Sequence, residues 1–184
     1  MAVIIRDWKP ADDVGALTGM LHRAYAPLAA RGLRYNATHQ TPEVTRRRLA
    51  SGHALVAEIG GRLVGTVTYY RPDSQAATPV YREPDTFHFG QFAVDPDFKG
   101  QGVGKALHER MIAAAFGEGA KFMALDTAAP AIELIALYER WGYTVVDRAQ
   151  WDSTNYESVI MRRGLGSDPR NVPEPTLTAR KAST

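Results

Sequence analysis

The chain contains no cysteine. That removes disulfide frameworks, thiolate metal sites and cysteine nucleophiles together, and it suits a reducing, cytoplasmic setting. No apolar run approaches the ~20 residues of a membrane-spanning helix, so no membrane partner is expected. The opening M-A-V-I-I-R-D is too short for a secretory leader and reads as a strand. A basic surplus is nearly absent too. The formal net charge is +2, and residues 162–184 alone hold five basic groups against two acids. The rest of the chain therefore nets −1, which is not the footprint of a nucleic-acid binder. Arg46-Arg47-Arg48 is a local cluster and reads as one solvated helix face. The five histidines, at 22, 39, 53, 88 and 108, show no ligand spacing, so no metal is expected.

What is present is a chain of 184 residues with 45% hydrophobic content, enough for one domain with a real core. Ala2–Arg6 reads as a strand. Pro10-Ala-Asp-Asp opens a helix carried by Val14, Leu17, Leu21 and Tyr25, which Pro27 and Gly32 are expected to end. Thr41-Pro42-Glu43 starts a second helix. His53–Ile59 and Leu63–Tyr70 flank Gly60-Gly61 as a hairpin. Residues 71–86, with three prolines, read as a long surface loop. A strand over Phe87–Val94 is followed by a helix from Val103 to about Gly117, then a strand over Phe122–Asp126. Pro130 is expected in the first turn of a last helix, ended by Gly142. Tyr143–Asp147 and Tyr156–Met161 are the final strands. The order is mixed α/β, with alternation around 87–126 that implies a local parallel pair. Residues 1–163 are read as the domain. Residues 164–184 are polar and non-periodic, and read as a tail.

The informative stretch is His88–Leu107, H-F-G-Q-F-A-V-D-P-D-F-K-G-Q-G-V-G-K-A-L. A strand, a loop with glycines at 100, 102 and 104, and a helix start make an anion site. Glycine lets backbone approach a phosphate, and the amides of a helix's first turn are free to meet it. A nucleotide P-loop is excluded: Lys99 stands where its first glycine belongs, and Ala106 where its hydroxyl belongs. The dinucleotide fingerprint misses its third glycine in either register. Asp126 lies near the distance at which that fingerprint places a ribose-binding acid, so a dinucleotide remains an alternative.

Lys99-Gly100-Gln101-Gly102-Val103-Gly104 resembles the glycine loop of the GNAT family of N-acetyltransferases, with Lys99 where that family usually has Gln or Arg. Phe92-Ala93-Val94-Asp95-Pro96 resembles its strand end. Leu137-Tyr138 and Gly142-Tyr143 resemble a second family pattern, on a later helix. The family often has an asparagine seven residues before that tyrosine; here it is Ala131. The resemblance implies a mixed, mostly antiparallel sheet of six to seven strands. A parallel pair would splay at the cofactor cleft, with helices on both faces. It implies acetyl transfer from acetyl-CoA to a primary amine of a small molecule or peptide, by direct attack in a ternary complex. A non-catalytic acyl-CoA-binding module of the same fold is the alternative, and a homodimer is the assembly considered.

On this resemblance the loop Lys99–Lys105 holds the pyrophosphate, and a backbone amide near Phe92, Ala93 and Val94 polarises the thioester carbonyl. Tyr138 protonates the departing thiolate, unless it is a plain core tyrosine. Lys99 and Lys105 meet phosphate or remain solvated loop lysines. Asp126-Thr127 lines the cleft or caps the next helix, capping being the plainer reading. Tyr25, Arg34, Tyr35, Trp151, Asn155 and Tyr156 are candidates for the acceptor pocket. Many family members carry a glutamate base where this chain has Gln91, an amide without useful basicity. His88 is the tempting substitute. Strand alternation sets it on the face opposite Gln91, with Phe89, Gln91 and Ala93 on one side and His88, Gly90 and Phe92 on the other. The amine is thus expected to lose its proton to ordered water or to arrive neutral.

Overall fold

The computed structural model describes residues 2–166. Seven strands form one sheet: β1 (Ile4–Asp7), β2 (His53–Ile59), β3 (Arg62–Tyr70), β4 (Thr86–Val94), β5 (Phe122–Ala128), β6 (Thr144–Gln150) and β7 (Glu157–Gly164). Their spatial order is β1-β2-β3-β4-β5-β7-β6. Every pairing is antiparallel except β4 with β5. Four helices flank it: α1 (Val14–Ala30), α2 (Pro42–Ala50), α3 (Val103–Gly117) and α4 (Ile132–Arg140). The mixed sheet with its single parallel pair is the architecture expected from the sequence.

Both faces are covered. On one, Val14, Leu17, Met20 and Leu21 of α1 and Leu49 of α2 pack on Ala54, Val56 and Ala93. On the other, Leu107, Met111 and Ala115 of α3 and Tyr138 of α4 pack on Leu55, Val67, Phe87, Phe89, Met123 and Leu125. The helical spacing of these residues and the alternation of the strands each point one set inward. The stretch 71–86 is not purely surface. A short 3-10 turn at Pro79–Arg82 lays Val80 and Tyr81 against Ala124 and Ile160.

Helix α1 does not stop at Pro27 but runs through it to Ala30. The imino acid removes one ladder bond, normally a cost of ~3 kcal/mol in a helix interior. Pro27 is exposed, so water can serve the freed carbonyl, and buried Leu28 anchors the last turn. Helix α4 begins at Ile132, with Pro130 two residues outside it. Strand β7 extends to Gly164, and Leu165 beyond it is 2% exposed. The Leu165 amide donates to the Lys121 carbonyl at 2.9 Å. The tail read over 164–184 otherwise lies outside the described residues.

Two irregularities in the middle strands shape the site. β5 pairs with β4 only at Thr86, Phe87 and His88, after which the two strands part. On the other side, β3 pairs with Gly90 and then with Ala93, so Gln91 and Phe92 have no register partner. This is a β-bulge, with Gln91 held at φ +51°.

Candidate active site

Two cavities open where β4 and β5 separate. The first, about 410 Å³, is lined by Phe92, Ala93, Val94, Lys99, Gly100, Gly102, Val103, Gly104 and Lys105, with Leu137, Tyr138 and Trp141 of α4 across from them. The second, about 430 Å³, lies on the α1–α2 face and is walled by Tyr25, Tyr35, Arg48, His88, Gln91, Asp126, Trp151 and Tyr156. Tyr25, Phe92, Leu134 and Tyr138 line both. The two spaces therefore meet at the bulge of β4 and the hydroxyl-bearing ring of α4.

The glycine loop is built by conformation. Gly100 (φ +75°) and Gly102 (φ +79°) are left-handed, and a Cβ on either would find no atom within 4 Å, so the loop's outer side is open. Ala106 donates to the Gly102 carbonyl, so the amides of Val103, Gly104 and Lys105 precede the helical ladder. The loop is stapled from below by Asp95, which is fully buried. Asp95 accepts from Arg23 at 2.7 Å and from Arg62 at 2.8 Å, and its own amide donates to the Val64 carbonyl. Burial alone would raise its pKa. The two guanidiniums and the Asp97 amide outweigh that and hold it below the usual carboxylate range. Gln101 is exposed, directs its side chain to the Asp97 carbonyl and does not line the cavity. Lys105 is exposed beside Glu109.

Tyr138 is buried, with its ring against Phe89, Trp141 and Tyr143 at centroid distances of 5.9–6.0 Å. Its hydroxyl has no hydrogen-bond partner among the described residues. Burial pushes its pKa well above the ordinary tyrosine value, so it carries its proton throughout the working range. Tyr25 donates from its hydroxyl to the Phe92 carbonyl at 3.0 Å, tying α1 to the bulge.

The bulge overturns the strand alternation expected from the sequence. Phe87 and Phe89 face α3, and so do Phe92 and Val94 after the extra residue. His88, Gln91 and Ala93 face the α1–α2 side. His88 and Gln91 thus line one cavity. His88 is sandwiched by Tyr81, stacked at 4.0 Å, and Tyr70 at 5.1 Å. Burial pulls its pKa down to about 4, so the ring is neutral at pH 7.

Of the other acceptor candidates, Tyr25, Tyr35, Trp151 and Tyr156 come together, with Tyr35 4.9 Å from Tyr156 and 5.3 Å from Tyr25. Tyr35 also shares a hydrogen with Thr127 and accepts from the Ala128 amide. Arg34 and Asn155 do not line the cavity. Asn155 is a clasp: its Oδ1 accepts from the Arg34 amide and its Nδ2 donates to the Gly32 carbonyl.

Residues 22–143 match the profile of the Acetyltransferase (GNAT) family. The chain belongs to that family. A curated relative of this GNAT protein is the S-(2-succino)cysteine N-acetyltransferase of Bacillus subtilis. It is 32% identical over 158 residues, which span 85% of this chain and 93% of the relative. Among solved structures, the ribosomal-protein-S18-alanine N-acetyltransferase of Escherichia coli is similar with a TM-score of 0.67 at 18% identity, over 93% of this chain and 99% of that one. A GNAT acetyltransferase of Elizabethkingia anophelis, with acetyl-CoA bound, has a TM-score of 0.63 at 16% identity, over 89% and 98%. These structural likenesses carry the fold alone. The family assignment removes the dinucleotide alternative.

Of three further cavity residues in this GNAT domain, Arg48 and Tyr81 have no site role in the sequence reading, and Asp126 takes the less plain of its two. Asp126 does not cap α4, whose cap position is Ala131. It shares the face of β5 that carries Ala124, opposite Met123 and Leu125, and so faces the acceptor cavity, accepting from Tyr81 at 3.1 Å and from Trp151 Nε1 at 3.0 Å. Its surface is open to the cavity, yet protein surrounds it closely. That desolvation raises its pKa, against the hydrogen bonds of Tyr81, Trp151 and Ser158 and the charge of Arg48. Arg48 is half-buried in the cavity wall, whereas Arg46 and Arg47 are exposed. Tyr81 enters from the long loop. Helical spacing marks Arg48, one position before buried Leu49, as the least solvated of the three. No local signal marks Tyr81.

Proposed function

We propose that this protein is an N-acetyltransferase that moves an acetyl group from acetyl-CoA to a primary amine of a small molecule or peptide, with both bound at once. One observation carries the reading: a loop-bounded cavity and a polar cavity share Tyr138 and Phe92. Direct attack requires such a meeting point, since reacting atoms must come within about 3–3.5 Å.

The residues fit acetyl-CoA. The open side of Gly100 and Gly102 and the amides of Val103, Gly104 and Lys105 suit a pyrophosphate, with Lys99 and Lys105 adding charge. Phe92, Val94, Leu137 and Trp141 make an apolar channel behind them. Bound acetyl-CoA supplies the acetyl group as a thioester. The bulge leaves backbone groups at Gln91 and Phe92 outside the β3 ladder, where a donor can face the carbonyl oxygen as it gains charge. Tyr138 holds a proton for the leaving sulfur. Gln91 is no base. Asp126, raised by burial, and neutral His88 are the titratable groups facing the acceptor, and water between them and the amine completes the path for its proton.

The test is thiol release from acetyl-CoA by the full chain across amino acids, S-substituted cysteines, polyamines and N-terminal peptides. The Bacillus subtilis relative makes S-(2-succino)cysteine the first acceptor to try. Amine-dependent thiol release supports the proposal. Tight acetyl-CoA binding with no amine-dependent release would leave an acyl-CoA-binding module instead.

A further inference from the structure

A chain of side chains at the acceptor cavity has a fixed direction. Arginine offers donors only. The 2.6 Å contact from Arg48 Nη1 therefore turns Oε1 of Gln40 toward the guanidinium. Gln40 Nε2 then points the other way, donating to Gln91 Oε1 at 3.1 Å and to Thr45 Oγ1 at 2.7 Å. Gln91 Nε2, at the end of the relay, is left as a buried donor with no partner. Gln40 and Gln91 are 4% and 3% exposed, so protein rather than water sets their orientation.

This arrangement is costly without a ligand. A buried donor left unpaired has lost its water without gaining a bond in exchange. Arg48 is half-buried and has no carboxylate within ion-pair distance among the described residues. Gly90 of β4 runs alongside it: a Cβ there would stand in ordinary contact, 3.6 Å from Arg48 Nη2. Asp126 is held by neutral donors and has no ion-pair partner among the described residues. The cavity thus holds Arg48 of α2 and Asp126 of β5, neither in an ion pair among the described residues, with the guanidinium's charge felt at the carboxyl group.

We infer that the acceptor carries a carboxylate besides its amine, an amino acid in chemical class, and that Arg48 with the Gln91 amide is the subsite for that carboxylate. Guanidinium and carboxylate match as planar forks and form charge-assisted bonds. Gln40 is a positioning residue: it transmits the arginine's donor sense to Gln91. Asp126 of β5 receives the cationic end of the arriving zwitterion. The inference rests on the acetyl-transfer reading above.

The probes are the proteinogenic L-amino acids and their α-carboxamides, each with saturating acetyl-CoA and the full chain. The carboxylate member of the best pair is expected to have a kcat/KM at least about tenfold above its carboxamide. In Arg48→Met that ratio collapses toward one, mainly through KM, and Arg48→Lys restores part of it. Gln40→Leu lowers the ratio while acetyl-CoA affinity by calorimetry stays unchanged. Equal rates for carboxylate and carboxamide, or a ratio preserved in a folded Arg48→Met protein, overturn the inference. So does a failure to acetylate any amino acid by protein that binds acetyl-CoA, and this outcome spares the cofactor half of the earlier reading. Absence of acetyl-CoA binding defeats both. Should Arg48→Met not fold, the wild-type ratio and Gln91→Leu decide the matter alone.

Discussion

Replacing Tyr138 by Phe isolates one atom. The ring contacts with Phe89, Trp141 and Tyr143 survive the change. The hydroxyl makes no hydrogen bond within the described protein, so no partner is orphaned, and stability should move by no more than ~0.5 kcal/mol. What is lost is a proton donor at the junction of the two cavities. Burial holds that hydroxyl protonated at neutral pH, which suits the acid role proposed for it. A positioned acid contributes on the order of 10²-fold or more, or about 2.7 kcal/mol of barrier. Turnover and kcat/KM should fall together, because the interaction exists only as the sulfur departs. The assay is initial thiol release at saturating acetyl-CoA, with calorimetric affinity and melting temperature as controls. Turnover within about twofold of wild type in a folded protein would refute the acid role and leave Tyr138 as a core residue.

Gly102→Val places a branched side chain at φ +79° on the open side of the loop, so acetyl-CoA affinity by calorimetry should weaken at least about tenfold. Gly104→Ala meets only ordinary contacts at 3.5 and 3.7 Å, so the fold should tolerate it. His88 and His108 are held neutral by burial, with folded pKa values of about 4 and about 3. The unfolded chain binds these protons near pH 6.5, so their stabilisation is complete above that value and is lost as pH falls toward the folded values. The melting temperature should drop across that window, and His88→Gln should flatten the drop. His88→Gln should leave an acidic limb of the rate profile in place, because Asp126 and ordered water remain to take the proton. Ending the chain after Gly166 should preserve melting temperature and acetyl-CoA binding, whereas Leu165→Ala should cost about 2–5 kcal/mol in denaturant titration.

The glycine loop and the order of elements were legible because they are local. Helix α3 and the Gly-Gly hairpin follow from periodicity and turn chemistry within a few residues, and the parallel pair from the strand–helix–strand order around α3. What was not legible depends on partners distant in sequence. Pro27 reads as a stop, but solvent exposure on one side and Leu28 on the other carry the helix past it. Alternation failed at Gln91 because one extra residue against β3 flips everything after it, and nothing in Q-F-A announces the insertion. Asp126 reads more plainly as a cap because an acid before a helix usually is one; Tyr81 and Trp151, 45 and 25 residues away, hold it in the cavity instead. Arg48 reads by charge as one of a solvated cluster, while helical phase separates it from its neighbours.

The short seam between β4 and β5 has a further meaning. Mechanically the sheet is two plates, β1–β4 and β5–β7, joined along three positions. Strand edges left unpaired on a surface invite other chains to add themselves and aggregate. Here the loose edge of β4 faces inward, between the plates, with Tyr25 on one flank and Tyr138 on the other. The backbone that the parting frees therefore lines the two cavities rather than the surface, where it can serve a bound molecule instead of a neighbouring chain.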